Sequence, residues 1–127
     1  MPKGELYEEE LTHSVIGAFF DVYNELKYGL LELAYQMALE RELRWRGHDV
    51  AREVYVPIYY KGEELTRQRI DMLVDGRLVV ETKATKDLHK SAARQVYSYL
   101  RAARLQVGLL LHFGPEPAYY RVINSLH

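Results

Sequence analysis

The sequence predicts an α/β fold of the α+β, mixed-sheet kind, with helices flanking a central mixed sheet in the order α-α-β-β-β-α-β-β. Three observations predict it. Apolar residues recur at helical spacing early in the chain, then alternate or run together as in strands. An Asp75-Gly76 pair joins two apolar strands, a strong short-range hairpin signal. A helical stretch separates the third strand from a nearly unbroken apolar run, as a parallel crossover requires.

In chain order, Glu8-Glu9-Glu10 forms an acidic lead-in that favours the positive end of a helix dipole. Val15, Ile16, Phe19, Phe20, Tyr23 and Leu26 then mark an amphipathic stripe. Lys27-Tyr28-Gly29 breaks it, and a second helix runs from Leu30 to about Arg46, with Leu31, Ala34, Tyr35, Ala38 and Trp45 on or near its inward side. Gly47 stands where a C-terminal glycine cap belongs. From Val50 to Tyr60 the residues are rich in β-branched and aromatic types, and Pro57 argues for an edge position or a break because proline cannot donate to a ladder. A second strand is expected from about Leu65 to Val74 and a third from Arg77 to Ala84. Ile70, Met72, Val74, Leu78 and Val80 fall on one alternating set, and Leu73 and Val79 on the other, so both faces of this sheet are covered. A third helix, roughly Lys90 to Arg104, turns Ala92, Val96, Tyr99, Leu100 and Ala103 inward. The apolar run from Gln106 to Phe113 reads as a central buried strand, and Tyr119 to Ile123 as a closing one.

Composition bounds the function. At 127 residues and 48% hydrophobic, the chain is expected to form one domain over 1–127 with a real core. No run approaches the roughly 18 apolar residues of a membrane span, and no membrane partner is expected. Zero cysteines leave no disulfide or thiolate zinc site, which with the polar, acidic start fits a cytoplasmic protein. The overall charge of −1 hides an asymmetry, net −6 over residues 1–42 and net +5 over residues 43–127. The basic portion suits a polyanion or an ordinary solvated surface.

The hairpin carries three groups that a buried sheet normally refuses, Asp71, Glu81 and Lys83. One reading is a surface ion cluster in which Asp71 or Glu81 pairs with Lys83 or Arg69 across strands. The other is a magnesium-dependent phosphodiesterase. Hard carboxylate oxygens bind Mg²⁺, and a lysine two residues after Glu81 points to the same face. Turn length decides whether such a site can form. A two-residue Asp75-Gly76 turn would pair Asp71 with Val80 and face it away from Glu81 and Lys83. A three-residue connection, Val74-Asp75-Gly76, pairs Leu73 with Arg77 and Asp71 with Val79, and gathers the three on one face. The site therefore requires a hairpin longer than two residues, or a bulge. Glu32 shares a helix face with Tyr35 and Gln36, and by spacing alone reads as solvent-facing.

Gly29-Leu30-Leu31-Glu32-Leu33-Ala34-Tyr35 resembles the signature of the GxxExxY family, a branch of the PD-(D/E)XK nuclease superfamily. The likeness continues through Val56-Pro57, Tyr60-Lys61-Gly62, Arg69-Ile70-Asp71-Met72, Val80-Glu81-Thr82-Lys83, Gln95 with Tyr99, and Val107-Gly108-Leu109, over about residues 12–114. The resemblance implies a restriction-endonuclease-like core. It implies Asp71, Glu81 and Glu32 as metal ligands and catalytic acids for Mg²⁺, with Mn²⁺ able to substitute, and Lys83 as the catalytic lysine. Arg69, Gln95, Tyr99 and Tyr35 would bind substrate or support the site, Tyr35 mainly by packing. The chain departs from the family pattern at Lys27-Tyr28-Gly29, at Ala92-Ala93-Arg94-Gln95 and at His112, and none of these removes an acid.

Other signals are weak. His13, His48, His89, His112 and His127 show no metal-ligand spacing, and no Ser-His-Asp order stands out. Tyr59-Tyr60 and Tyr119-Tyr120 read as packing residues or as platforms for unpaired bases. Two functions follow: a metal-dependent nuclease acting on nucleic acid, with DNA expected, or a catalytically silent nucleic-acid-binding or assembly module of the same fold. One site cuts one strand, so cutting a duplex implies a homodimer.

Overall fold

The computed structural model describes residues 7–125. Residues 1–6 and 126–127, including His127 and the ends of the expected 1–127 domain, lie outside the described residues. Within them are helices α1 (Glu9–Leu26), α2 (Glu32–Trp45) and α3 (Ala92–Ala103), with strands β1 (Val50–Tyr60), β2 (Glu63–Val74), β3 (Leu78–Lys83), β4 (Val107–Phe113) and β5 (Pro117–Ile123). Their order along the chain is the expected α-α-β-β-β-α-β-β. The strands lie side by side in chain order, with β3 parallel to β4 and every other pair antiparallel. Among the described residues no helix is long and apolar enough to cross a membrane.

Burial divides along the two sheet faces. On one face, Val15, Phe19 and Val22 of α1 and Tyr35, Leu39 and Leu43 of α2 pack on Met72, Val74, Val80 and Leu109. On the other, Ala92, Val96, Tyr99 and Leu100 of α3 pack on Val56, Ile70, Val79 and Leu110. Strands β3 and β4 lie between these layers and are buried almost throughout, which explains their near-continuous apolar sequences. Pro57 lies on β1 at the sheet edge, where a missing donor costs no ladder bond. Helix α2 ends in a Schellman motif: the Gly47 N–H donates to Arg44 O and the His48 N–H to Leu43 O, each at 3.0 Å.

Three expectations need correction. Leu31 and Trp45 are not inward, being 84% and 76% exposed. The buried stripe of α2 is Tyr35, Leu39 and Leu43, four residues apart, and Trp45 lies two residues past its end, about 200° further round the helix. Ile70 does not share a face with Met72 and Val74. It packs under α3 while they pack under α1 and α2, and the paired strand does the same, with Arg52 bonding to α2 and Val56 buried against α3. The reversal centres on Glu53, whose φ of 53° breaks the alternation of β1, and on Asp71 opposite it. The hairpin register is the third correction. Val74 pairs with Leu78 and Met72 with Val80, so the connection has three residues as required, but they are Asp75-Gly76-Arg77.

Asp75 holds that turn in place. Its N–H donates to Asp49 O at 2.8 Å, and its Oδ1 accepts the Asp49 N–H at 2.8 Å. Its Oδ2 lies 2.9 Å from His48 Nδ1, and His48 Nε2 lies 2.7 Å from Ser14 Oγ. Asp75 thus takes a left-handed φ of 53°, Gly76 follows at 65°, and Val74 stays in the ladder. A serine–histidine–aspartate chain, unremarkable in sequence order, ties the turn to α1.

Gly108 lets α3 approach the crossover. A Cβ there would stand 2.7 Å from Val96 Cγ1 and 3.3 Å from Val79 O. Gly108→Ala is expected to cost about 1–3 kcal/mol by overpacking, read by chemical denaturation. Combined with Val96→Ala it should cost less than the sum of the two single changes. Strict additivity would show that the contact does not limit the approach.

Candidate functional site

The β2–β3 ladder is paired from Val74 to Met72 and then opens. Continued one step, its register sets Asp71 opposite Glu81. Beyond Met72 the Thr82 N–H donates to Asp71 Oδ2, at 3.1 Å, in place of a ladder carbonyl. The fork holds Asp71 on one strand and Glu81, Thr82 and Lys83 on the other. Glu81 and Lys83 share the strand side facing α3, and Thr82 faces α2.

Glu32, at the first turn of α2, reaches the fork from that side. Thr82 Oγ1 lies 3.1 Å from Glu32 Oε2 and 3.3 Å from Asp71 Oδ2. Gln36 Nε2 donates to both Glu32 Oε2, at 2.7 Å, and Thr82 Oγ1, at 2.9 Å. A hydroxyl has one proton, so Thr82 can serve only one of the two carboxylates at a time. Arg52 completes the chain by donating to Gln36 Oε1 at 3.0 Å. In the sequence Gln36 is legible only as a helix neighbour of Glu32, and Thr82 is not marked as a site residue. The legible signals were the Glu32–Gln36 spacing and the position of Thr82 between two charged strand residues.

Glu81 is 4% exposed, and its Oε1 is buried without a hydrogen-bond partner in the protein. Its Oε2 lies 3.3 Å from Lys83 Nζ. Burial first, and the Asp71 charge second, push its carboxyl up to about 8, with Lys83 opposing. Burial and the Asp71 charge also raise Glu32, against its bonds to Thr82 and Gln36. A buried carboxyl with an orphaned oxygen, close enough to a second acid to feel its charge, is an arrangement that a divalent cation relieves. The donors therefore fit a hard cation. Among the described residues the acids are not gathered into a three-ligand cage, because Glu32 is held by Thr82 and Gln36 and Glu81 by Lys83.

The remaining expected residues divide. Tyr99 is buried on α3, and burial together with Glu81 and Asp71 pushes its phenol up to about 12. Gln95 is exposed and lines a cleft of about 470 Å³ with Lys83, Gln68 and Arg94. Arg69 is exposed, 3.7 Å from Glu53 in a solvated pair. Tyr35 is fully buried, its ring stacked on Phe113 at 4.4 Å. Its hydroxyl donates to Lys27 O and accepts the Leu30 N–H at 3.1 Å. It orders the loop leading to Glu32 and does not reach the fork.

A family model described as PD-(D/E)XK nuclease superfamily matches residues 9–122. The fold is similar to a solved structure described as "Crystal structure of SSO0001", with a TM-score of 0.61 at 20% identity. That match covers 99% of this chain and 63% of the other, so this chain spans less than two thirds of its length. No curated protein matches.

The raised Glu81 pKa sets a pH dependence. Below its ordinary 4.5 the carboxyl is neutral in folded and unfolded chains alike. Between 4.5 and about 8 the unfolded chain is ionised while the folded chain retains the proton, so stability falls as pH rises. In metal-free buffer the melting temperature of the natural chain should drop across this window and that of Glu81→Gln should drop less, with Glu32 supplying part of what remains. Above about pH 8, Mg²⁺ should raise the natural chain's melting temperature and leave the variant's nearly unchanged. Parallel melting curves for both chains would refute the assignment.

Proposed function

The chain belongs to the PD-(D/E)XK nuclease superfamily, and from that premise we propose that it is a Mg²⁺-dependent nuclease of the GxxExxY branch, hydrolysing phosphodiester bonds with DNA as substrate. The observation that carries this reading is Glu81, buried within β3 with its Oε1 unpartnered and its Oε2 3.3 Å from Lys83 Nζ, at the position that the ladder register sets opposite Asp71. A fold released from catalysis has no physical need to keep that carboxyl in its interior.

Asp71 and Glu81, with Glu32 completing the set, are the residues that would hold the cation. Bound there, Mg²⁺ would supply neutralisation of phosphate charge and a lowered pKa for a water ligand. Mn²⁺, which shares the preference for oxygen ligands, would substitute. The protein's own contribution is positional. Thr82 and Gln36 hold Glu32 toward the fork, and the Thr82 N–H fixes Asp71. Lys83, half-buried on the Glu81 side, is placed to orient the attacking water and to stabilise negative charge developing on phosphoryl oxygens. Tyr99 stays a neutral phenol below about pH 12 and closes the α3 side of the site without adding charge. One fork cuts one strand. Cutting both strands of a duplex takes two copies of the chain, whereas a single strand needs one.

The test is a panel of labelled single-stranded, duplex and branched nucleic acids incubated with Mg²⁺ or Mn²⁺. Lys83→Ala and Asp71→Ala should each lose at least about 10²-fold in cleavage rate, the scale of removing one charge-stabilising group from an active site. Cleavage persisting in both variants would overturn the assignment. Binding without cleavage by the natural chain would favour the silent module.

A further inference from the structure

Two clefts line the sheet face covered by α3, and they share Ser98. The smaller, about 470 Å³, holds Lys83, Arg94 and Gln95. The larger, about 600 Å³, lies farther from the acids and is walled by Tyr59 on β1 and by Arg101 and Arg104 on and just after α3. Arg94, Ser98 and Arg101 stand four and three residues apart, so they form one stripe along the helix. Ser98 Oγ donates to Gln68 Oε1 at 2.9 Å, pinning α3 to β2 where the clefts meet.

The lining of this tract is chemically one-sided. No carboxylate borders either cleft, although the chain carries 18 Asp and Glu. Among the described residues Arg94, Arg101 and Arg104, like Arg41 and Arg121 elsewhere, form no ion pair, whereas Arg44, Arg46, Arg52, Arg67, Arg69 and Arg77 each do. Arg104 also sits at a left-handed φ of 58°, just past the end of α3. The Leu105 N–H bonds to Leu100 O there, at 3.0 Å, which makes it a Schellman position that glycine would fill without strain. An arginine at that position carries a backbone cost that its fold role does not explain.

Tyr59 is 62% exposed at the wall of the larger cleft, with Tyr55 and Tyr60 exposed on the same edge strand. Bases in a duplex are stacked on each other and cannot pack on such rings unless flipped out, whereas unpaired bases can. From Arg94 to Arg101 the helix rises about 10 Å, long enough for the stripe to meet more than one backbone phosphate.

We propose that this tract is a track for single-stranded DNA leading into the acid fork, with Arg101 and Arg104 on the phosphates and Tyr59 stacking on a base. It rests on the nuclease reading and names its substrate class. The test is fluorescence anisotropy of the full chain with a labelled dT oligonucleotide and with a duplex of equal length, in EDTA so that no cleavage intervenes, across a salt series. The single strand should bind more tightly. Arg101→Ala with Arg104→Gly should weaken that binding at least tenfold and flatten the log–log salt slope by about 1.4, from about 0.7 per phosphate contact. Arg104→Gly alone should raise the melting temperature while weakening binding, which a merely structural arginine would not do. Tyr59→Ala should lose about 5- to 150-fold, equivalent to 1–3 kcal/mol per stacked base, and Tyr59→Phe should bind like the natural chain. Arg41→Ala with Arg44→Ala, on α2 across the sheet, should leave binding unchanged. Equal or tighter binding of the duplex, or an unchanged affinity in the Arg101/Arg104 variant, would overturn the track. Track-dependent binding without metal-dependent cleavage would support the track and refute the nuclease reading, and cleavage with track-independent binding would do the reverse.

Discussion

The whole site depends on one register. Val74 pairs with Leu78 because three residues, not two, connect β2 to β3, and side chains on strands alternate faces. A slip of one residue would send Asp71 to the opposite side of the ribbon from Glu81. The register is secured from outside the hairpin. Asp75 is hydrogen-bonded through backbone and carboxylate to Asp49, and through His48 to Ser14 on α1. Fixing a turn against a distant helix also fixes how Asp71 and Glu81 are placed at the other end of the strands.

Burying Glu81 in a strand that begins Leu78-Val79-Val80 and is almost wholly buried is the main electrostatic cost of this fold. The rest of the structure distributes that cost rather than removing it. Lys83 pairs with one oxygen, and the other has no partner. On the opposite side, Thr82, Gln36 and Arg52 form a relay that draws Glu32 inward from a helix surface. Acids brought together from two strands and a helix hold their protons more tightly, as the upward shifts of Glu32 and Glu81 record.

The faces around the fork divide the work. The α1–α2 layer is dense with aromatic contacts, Phe19 and Tyr35 both against Phe113, and holds the loop before Glu32. The α3 layer is thinner and leaves its arginine stripe to solvent. The clefts on that side are lined by Lys83, by the α3 arginines and by the exposed Tyr59 of the edge strand β1.

Much of the fold was legible in the sequence. Element order, the buried β4, the edge position of Pro57, the glycine cap at Gly47 and the parallel crossover follow from local periodicity and backbone chemistry, which act over a few residues. The acids Asp71 and Glu81 stood out because charge in an apolar strand is conspicuous. Tertiary structure alone decided the rest. Glu32 by spacing is a solvent-facing helix residue, and only the placement of α2 on Thr82 draws it in. Trp45 reads as a core residue, and only the packing of Tyr35, Leu39 and Leu43 turns it outward. Ile70 changes face because Glu53 takes a left-handed conformation in the neighbouring strand, and the three-residue turn is displaced because Asp49 and His48 hold Asp75. Sequence pattern records which side chains a segment carries. Which of them meet is decided by contacts between residues tens of positions apart, where periodicity carries no information.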